Sequence, residues 1–204
     1  MLDTAKALLR RTLRQLREEI EEATPIIVLE PSCAAVFRDE LGGLFPEDPR
    51  AKRLAKQVCT LGEFLAGQIE AVPLPRGEGR ALLQGHCHQR SLQGVEADLA
   101  VLRRVGLEVE DADAGCCGLA GNFGMEQGHY DVSVAVAETQ LLPTVRAALA
   151  EDSGTVVLAD GLSCRHQLDD LAGVGAVHLA ELLAGRLPGD VPATPQPRGH
   201  GRGD

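Results

Sequence analysis

The chain of 204 residues is long enough to bury one sizeable core or two small lobes, and 44% hydrophobic with 25% charged residues is globular composition. A net charge of −10 with five aromatic residues and no Trp argues against gripping a phosphate backbone or stacking on bases, so nucleic acid is excluded as a partner. No apolar run nears the ~20 residues that span a bilayer, and no signal-peptide pattern opens the chain, which points to the cytoplasm; six cysteines in reducing surroundings then suggest metal binding or catalysis rather than disulfides.

Residues 3–22 read as a charged amphipathic helix with Leu8, Leu9, Leu13 and Leu16 on one face and Asp3 as its N-cap. Thr24-Pro25 stops it, and the apolar run Ile26-Ile27-Val28-Leu29 fits a strand buried on both faces, as in a parallel sheet. After Glu30-Pro31-Ser32-Cys33 a helix opens at Ala34 and is expected to end at Gly42-Gly43. Residues 50–69 read as one helix through Leu54, Val58, Leu61 and Leu65, with Cys59 buried inside it. A Pro- and Gly-rich connector over 72–80 leads to a short strand, Ala81-Leu82-Leu83-Gln84, and then Gly85-His86-Cys87-His88-Gln89. A helix over about 90–104 and a strand at Leu107-Glu108-Val109 deliver the chain to Gly115-Cys116-Cys117-Gly118-Leu119-Ala120-Gly121-Asn122-Phe123-Gly124. A helix over about 130–150, kinked at Pro143, precedes the strand Thr155–Ala159 and the loop Asp160-Gly161-Leu162-Ser163-Cys164. A last strand at Ala176–Leu179 and a helix to Arg186 follow; residues 187–204, rich in Pro and Gly, read as a disordered tail.

The chain resembles itself. Leu8-Leu9 matches Leu141-Leu142, Ile27–Cys33 matches Val157–Cys164 with one residue inserted, and Leu61–Gln68 matches Leu179–Arg186. Three matches in the same order indicate a duplicated strand–Cys–helix lobe. The expected fold is therefore α/β: two pseudo-repeated lobes of strand–Cys loop–helix units around short parallel sheets. Residues 1–75 would be the C-terminal part of a first repeat and 76–187 a complete second one. The first has no counterpart of His86-Cys87-His88 or of the double cysteine, so the chain is expected to start mid-repeat.

Cys33, Cys87, Cys116, Cys117 and Cys164 all fall directly after expected strands. Strand carboxyl ends of a parallel sheet converge on one edge, and helix N-termini favour thiolates. Ser32 and Ser163 are expected N-caps that set the following Cys in the first turn. Cys87, Cys116, Cys117 and Cys164 thus form a candidate four-thiolate set, the donors that zinc or an iron–sulfur cluster requires. Adjacent cysteines crowd a tetrahedral zinc, which favours the cluster. His86 and His88 flank Cys87 and are read as hydrogen-bond donors or helix caps rather than ligands. His129-Tyr130 are read as helix-start packing, and Glu30 and Asp160 as caps of the helices that follow them.

Glu30-Pro31-Ser32-Cys33, His86-Cys87-His88, the run from Gly115 to Gly124, His129-Tyr130-Asp131-Val132-Ser133 and Asp160-Gly161-Leu162-Ser163-Cys164-Arg165-His166-Gln167 resemble the cysteine-rich CCG domain. That domain occurs in one of the subunits of heterodisulfide reductase, in the iron–sulfur subunit of glycolate oxidase, and at the C-terminal end of FAD-linked oxidases and D-lactate-type dehydrogenases. The resemblance covers about residues 2–186 and is nearest to the last group. It implies an iron–sulfur electron-transfer domain or subunit, bearing a cluster of the 4Fe-4S kind, of a flavin-dependent 2-hydroxy-acid (glycolate, D-lactate or 2-hydroxyglutarate type) dehydrogenase or oxidase. Cys87, Cys116, Cys117 and Cys164 would hold iron and Cys33 would contribute as the remnant of the first repeat. In the reductase relatives each repeat ends in C-x-x-C; here Gln167 stands in the place of the last Cys, leaving four cysteines instead of five. FAD would lie in a partner domain or subunit that, with a ferredoxin-like segment, is encoded upstream. The protein would be cytoplasmic, held through partners at the inner face of the membrane. No catalytic residue is assigned, because the chain has no identifiable hydride-accepting site. The alternatives are a zinc-holding structural or docking module, and a thiol–disulfide component using Cys116 and Cys117, whose adjacency would strain a disulfide.

Overall fold

Short apolar runs set off by Pro and Gly become parallel strands, and amphipathic stretches become the helices that cover them. The computed structural model describes residues 1–185, so the expected tail over 187–204 lies outside the described residues. It is mixed α/β and divides into two units, one of Met1–Pro73 with His88–Val101, the other of Leu74–Cys87 with Leu102 onward.

In the first unit, helix α1 (Leu2–Gln15) and the short α2 (Arg17–Glu21) replace the single expected helix. Asp3 lies inside the first turn of α1 and Met1 precedes it as N-cap, so the expected Asp3 cap is not formed. Leu9, Leu13 and Ile20 are buried against Ala34, Leu41, Ala51, Leu54 and Val58. Strand β1 (Ile26–Ile27) pairs in parallel with β2 (Val58–Cys59). Helix α3 (Pro31–Ala35) continues through a π-helical turn at Val36–Glu40 into α4 (Leu41–Leu44), passing the glycine pair at which it was expected to stop. The expected helix over 50–69 is three elements: α5 (Pro49–Gln57), β2, and α6 (Leu61–Gly67). The break is driven by Thr60, which forms a reciprocal capping box with Glu63. Arg38 closes the box by donating to both Glu63 carboxylate oxygens at 2.9 Å. Cys59 is thus a half-buried strand residue rather than a helical one.

The second unit is built on a three-stranded parallel sheet in the order β4-β3-β5, with β3 at Arg80–Leu83, β4 at Glu108–Asp111 and β5 at Val156–Leu158. Leu83 is in register with both Asp111 and Leu158, so the three strands end level. The expected strand at 176–179 is a single parallel bridge from Val177 to Leu158. Helices α7 (Cys87–Leu92) and α8 (Glu96–Val105), which belong mostly to the first unit, connect β3 to β4 along the chain. The expected helix over 130–150 is α9 (Tyr130–Thr139) and α10 (Leu141–Glu151), broken at Gln140 instead of Pro143. Pro143 sits in the first turn of α10, where its missing N–H has no intrahelical partner to lose. Helices α11 (Leu162–Ala172) and α12 (Leu179–Leu183) complete the unit. Its core joins Leu82, Leu141, Leu142, Val145 and Leu168 to Cys117 and Cys164. Among the described residues no helix is long and apolar enough to cross a membrane.

The internal repeat is visible in the ladders. Val28 N–H donates to Cys59 O at 2.9 Å as Ala159 N–H donates to Val177 O at 3.0 Å. Ile27 therefore corresponds to Leu158, Glu30 to Gly161 and Cys33 to Cys164, all at one offset of 131 residues. The insertion expected from sequence alignment is absent. Thr60 corresponds to His178, each the N-cap of a reciprocal box, with Glu63 and Glu181 as the returning carboxylates. Arg165 lies 3.3 Å from Glu181, as Arg38 lies against Glu63.

Candidate metal centre

Because β3, β4 and β5 end level, Cys87, Cys116, Cys117 and Cys164, each within six residues of a strand end, come to one edge of the sheet. Cys87 opens α7 directly after the turn that follows β3. Cys164 lies in the first turn of α11, where free N–H groups and the helix dipole favour negative charge. The N-caps of α3 and α11 are Glu30 and Gly161, not the expected serines. Ser32 instead donates both its N–H and its hydroxyl to Glu30 Oε1. Glu30 thus caps the helix that follows it. Asp160 Oδ1 accepts from Leu179 N–H at 2.8 Å, at the start of α12. His178 Nδ1 accepts from Ala180 N–H at 2.9 Å and lies 3.6 Å from Asp160 Oδ1.

The double-cysteine loop is held at both ends. Gln84, fully buried after β3, donates to the carbonyls of Gly85 (3.1 Å) and Gly115 (3.0 Å), tying the Cys87 turn to the loop that carries Cys116. At the far side, Gly118 has φ +93° and packs so closely on α9 that a methyl there would overlap the Ser133 carbonyl oxygen. Gln167, the residue in place of a fifth cysteine, is buried and donates to Ser133 Oγ at 2.9 Å. That position is committed to joining α11 to α9. Gly161 is required for another reason: a methyl on it would overlap the His86 ring and press on Cys164 Sγ.

The sulfurs differ in environment. Cys117 and Cys164 are buried; Cys87 and Cys116 are half-buried. Cys116 Sγ accepts from Gly118 N–H at 3.3 Å. Hydrogen bonding with Cys164, and then with the Leu119 and Ala120 backbone, draws the Cys117 thiol down to about 6 against the opposing cost of burial. Cys164 is pushed up strongly, first by giving its proton to Cys117, then by burial, then by the charges of Cys117, Cys87 and Cys116. The two buried thiols are thus pushed in opposite directions, Cys117 down and Cys164 up. Such a set calls for a positive group. Its soft donors and N–H···S contacts suit iron.

His86 is buried beside Gly161, whereas His88 is exposed on α7. His129 stacks on Phe123 with ring centroids 4.2 Å apart, which is the packing role expected of it, while Tyr130 is exposed. Cys33 belongs to the first unit, exposed in the first turn of α3. Cys59 lies beside Ile26 O, its thiol raised by burial. Among the described residues no group of three or more His, Cys, Asp or Glu side chains is arranged to hold a metal ion. Gln84 and the Ser133–Gln167 contact were not anticipated; the only signal for Gln84 was a polar residue closing an apolar strand.

Residues 86–169 match the family of the cysteine-rich (CCG) domain. The chain is 28% identical over 85% of its length to D-2-hydroxyglutarate dehydrogenase of Escherichia coli K12, covering 17% of that protein. It is 26% identical over 83% of its length to one of the subunits of the anaerobic glycerol-3-phosphate dehydrogenase of the same organism, covering 43% of it. D-2-hydroxyglutarate dehydrogenase of Pseudomonas putida is 28% identical over 80% of the chain, which covers 15% of it. The chain thus spans well under half the length of these curated relatives. No solved structure matches it. What the chain shares with the cysteine-rich (CCG) domain family is thus the stretch over residues 86–169 that carries the double-cysteine loop.

Proposed function

We propose that the chain is an iron–sulfur electron-carrying part of a larger oxidoreductase, with Cys87, Cys116, Cys117 and Cys164 as the cluster ligands. The observation that carries this reading is the level ending of β3, β4 and β5, which brings the four cysteine-bearing loops to one edge of the sheet and buries Cys117 and Cys164 in one apolar cluster. A 4Fe-4S cluster, when bound, supplies a one-electron store. The chain's own residues do the rest. The backbone N–H groups of Gly118, Leu119 and Ala120 offset negative charge on the sulfurs, Gln84 fixes the two loops against each other, and the apolar cluster around Cys117 and Cys164 keeps water away. We give Cys33, which belongs to the first unit, no place in this set.

The named relatives are dehydrogenases, which supports a component role in oxidation and reduction. We take the substrate class to be a 2-hydroxy acid oxidised on FAD carried by other polypeptide, with electrons leaving through this domain, in the cytoplasm or at the inner face of a membrane. Single Cys→Ser substitutions in the anaerobically reconstituted chain test the ligand set. The thiolate-to-iron charge-transfer absorption should fall or change character in each of the four variants and persist in Cys33→Ser. Retention of the wild-type spectrum by Cys117→Ser and Cys164→Ser would overturn the assignment.

A further inference from the structure

The two units treat equivalent strands differently. In the second, β5 is flanked on both sides, by Val177 on one edge and by β3 on the other, and Gln84 N–H donates to Leu158 O at 2.8 Å. In the first, β1 has β2 on one edge, and among the described residues the sheet has two strands. The parallel register sends the polar groups of Ile26 and Val28 toward β2. Alternation turns the N–H and C=O of Ile27 to the opposite edge, where its equivalent Leu158 meets β3. Burial follows the same division. Leu158 is 0% exposed and Ile27 38%; Asp160 is 8% exposed and its apolar equivalent Leu29 is 53%. An apolar strand that is buried in one copy of the repeat and open in the other has a missing neighbour.

We infer that the outer edge of β1 is a docking site for an extended apolar segment that residues 1–185 do not supply, running parallel to β1 as β3 runs along β5. The duplicated unit supplies the template for the occupant. It is a short strand like Ala81-Leu82-Leu83, level with Ile26–Val28, offering an N–H to Ile27 O where Gln84 offers one to Leu158 O. A second copy of this chain fits poorly. Two β1 edges related by a two-fold axis meet antiparallel, and each strand has only two laddered residues to give. The curated relatives carry more polypeptide than this chain aligns with, so a segment of this kind has a source in that lineage.

The test uses the full chain and a synthetic peptide of residues 78–86, the sequence of the β3 edge itself, with the reversed sequence as control. Amide hydrogen exchange at Ile27 should slow at least tenfold with saturating peptide and remain unchanged with the control. Ile27→Pro removes the outward N–H and leaves both β2 contacts, so peptide affinity should fall at least tenfold; Ile27→Lys, at a position open enough for the longer side chain, should do the same if the Pro variant misfolds. Unchanged exchange at Ile27, or equal affinity in the folded variants, overturns the site. Protection that rises with chain concentration alone, accompanied by dimer sedimentation, overturns the occupant in favour of a second copy.

Discussion

Three glycines of the double-cysteine loop can be separated by what a methyl would do at each, and alanine there tests how the loop is held. Gly121 has φ +71° and open space around it, so Gly121→Ala costs only the left-handed backbone, about 1–2 kcal/mol. Gly124 has an ordinary φ but would drive a methyl into the Ser133 side chain and against Leu119; the overpacking costs about 1–3 kcal/mol. Gly118 carries both burdens, φ +93° and overlap with the backbone oxygen of Ser133, which no rotamer can relieve. Its cost is the sum, about 2–5 kcal/mol. For a chain of this length 1 kcal/mol moves Tm by about 2–4 °C. Thermal unfolding followed by circular dichroism should therefore place Gly118→Ala at least about 2–4 °C below Gly121→Ala, with Ser133→Ala partly rescuing Gly124→Ala and leaving Gly118→Ala unrescued. Equal shifts at 118 and 121 would mean that the loop does not rest on α9, and Cys116 and Cys117 would then need another means of being positioned.

Gln167→Leu leaves the Ser133 hydroxyl buried without that partner and should cost about 1–3 kcal/mol in chemical denaturation, against little for an exposed site such as Gln140→Leu. Thr60→Ala removes one arm of the capping box and should cost about 0.5–2 kcal/mol in the same assay. Asp48 caps α5, and its hydrogen bonds from the Arg50 side chain hold its carboxyl below the usual carboxylate range. A carboxyl lowered on folding adds stability above its ordinary pKa and loses it as pH falls through the lowered value. Asp48→Asn keeps the cap acceptor, so the small, salt-screened deficit it shows at pH 7 should vanish in acid; a deficit that grows on acidification would contradict this.

Much of the site could be read before the fold was known, because strand-ending cysteines depend on local signals: apolar runs, then Gly, Pro and Ser. The level strand ends follow from parallel pairing. What sequence hid was tertiary. Val58-Cys59 continues the helical spacing of Leu54 and Leu61, so its pairing with β1 was masked, although Thr60 and Glu63 carried the capping-box signature that marks a new helix. Pro143 looked like the kink, but a proline in a first turn breaks nothing, and Gln140 marks the true break. Gly42-Gly43 looked like a stop, yet the helix runs on to Leu44. The equivalence of Glu30 with Gly161 appeared only in the hydrogen-bond ladders, since side-chain likeness had paired Glu30 with Asp160. Gln84 and Gln167 act through partners 31 and 34 residues away, Gly115 and Ser133, and no local pattern announces such contacts.

Whether four sulfurs of the second unit hold iron together is decided most directly by iron and acid-labile sulfide analysis of the anaerobically prepared chain, with electron paramagnetic resonance after reduction. About four iron and four sulfide per chain are expected, with a signal from the reduced cluster that Cys164→Ser diminishes. One zinc per chain with no sulfide, or iron content untouched by Cys164→Ser, would contradict the assignment.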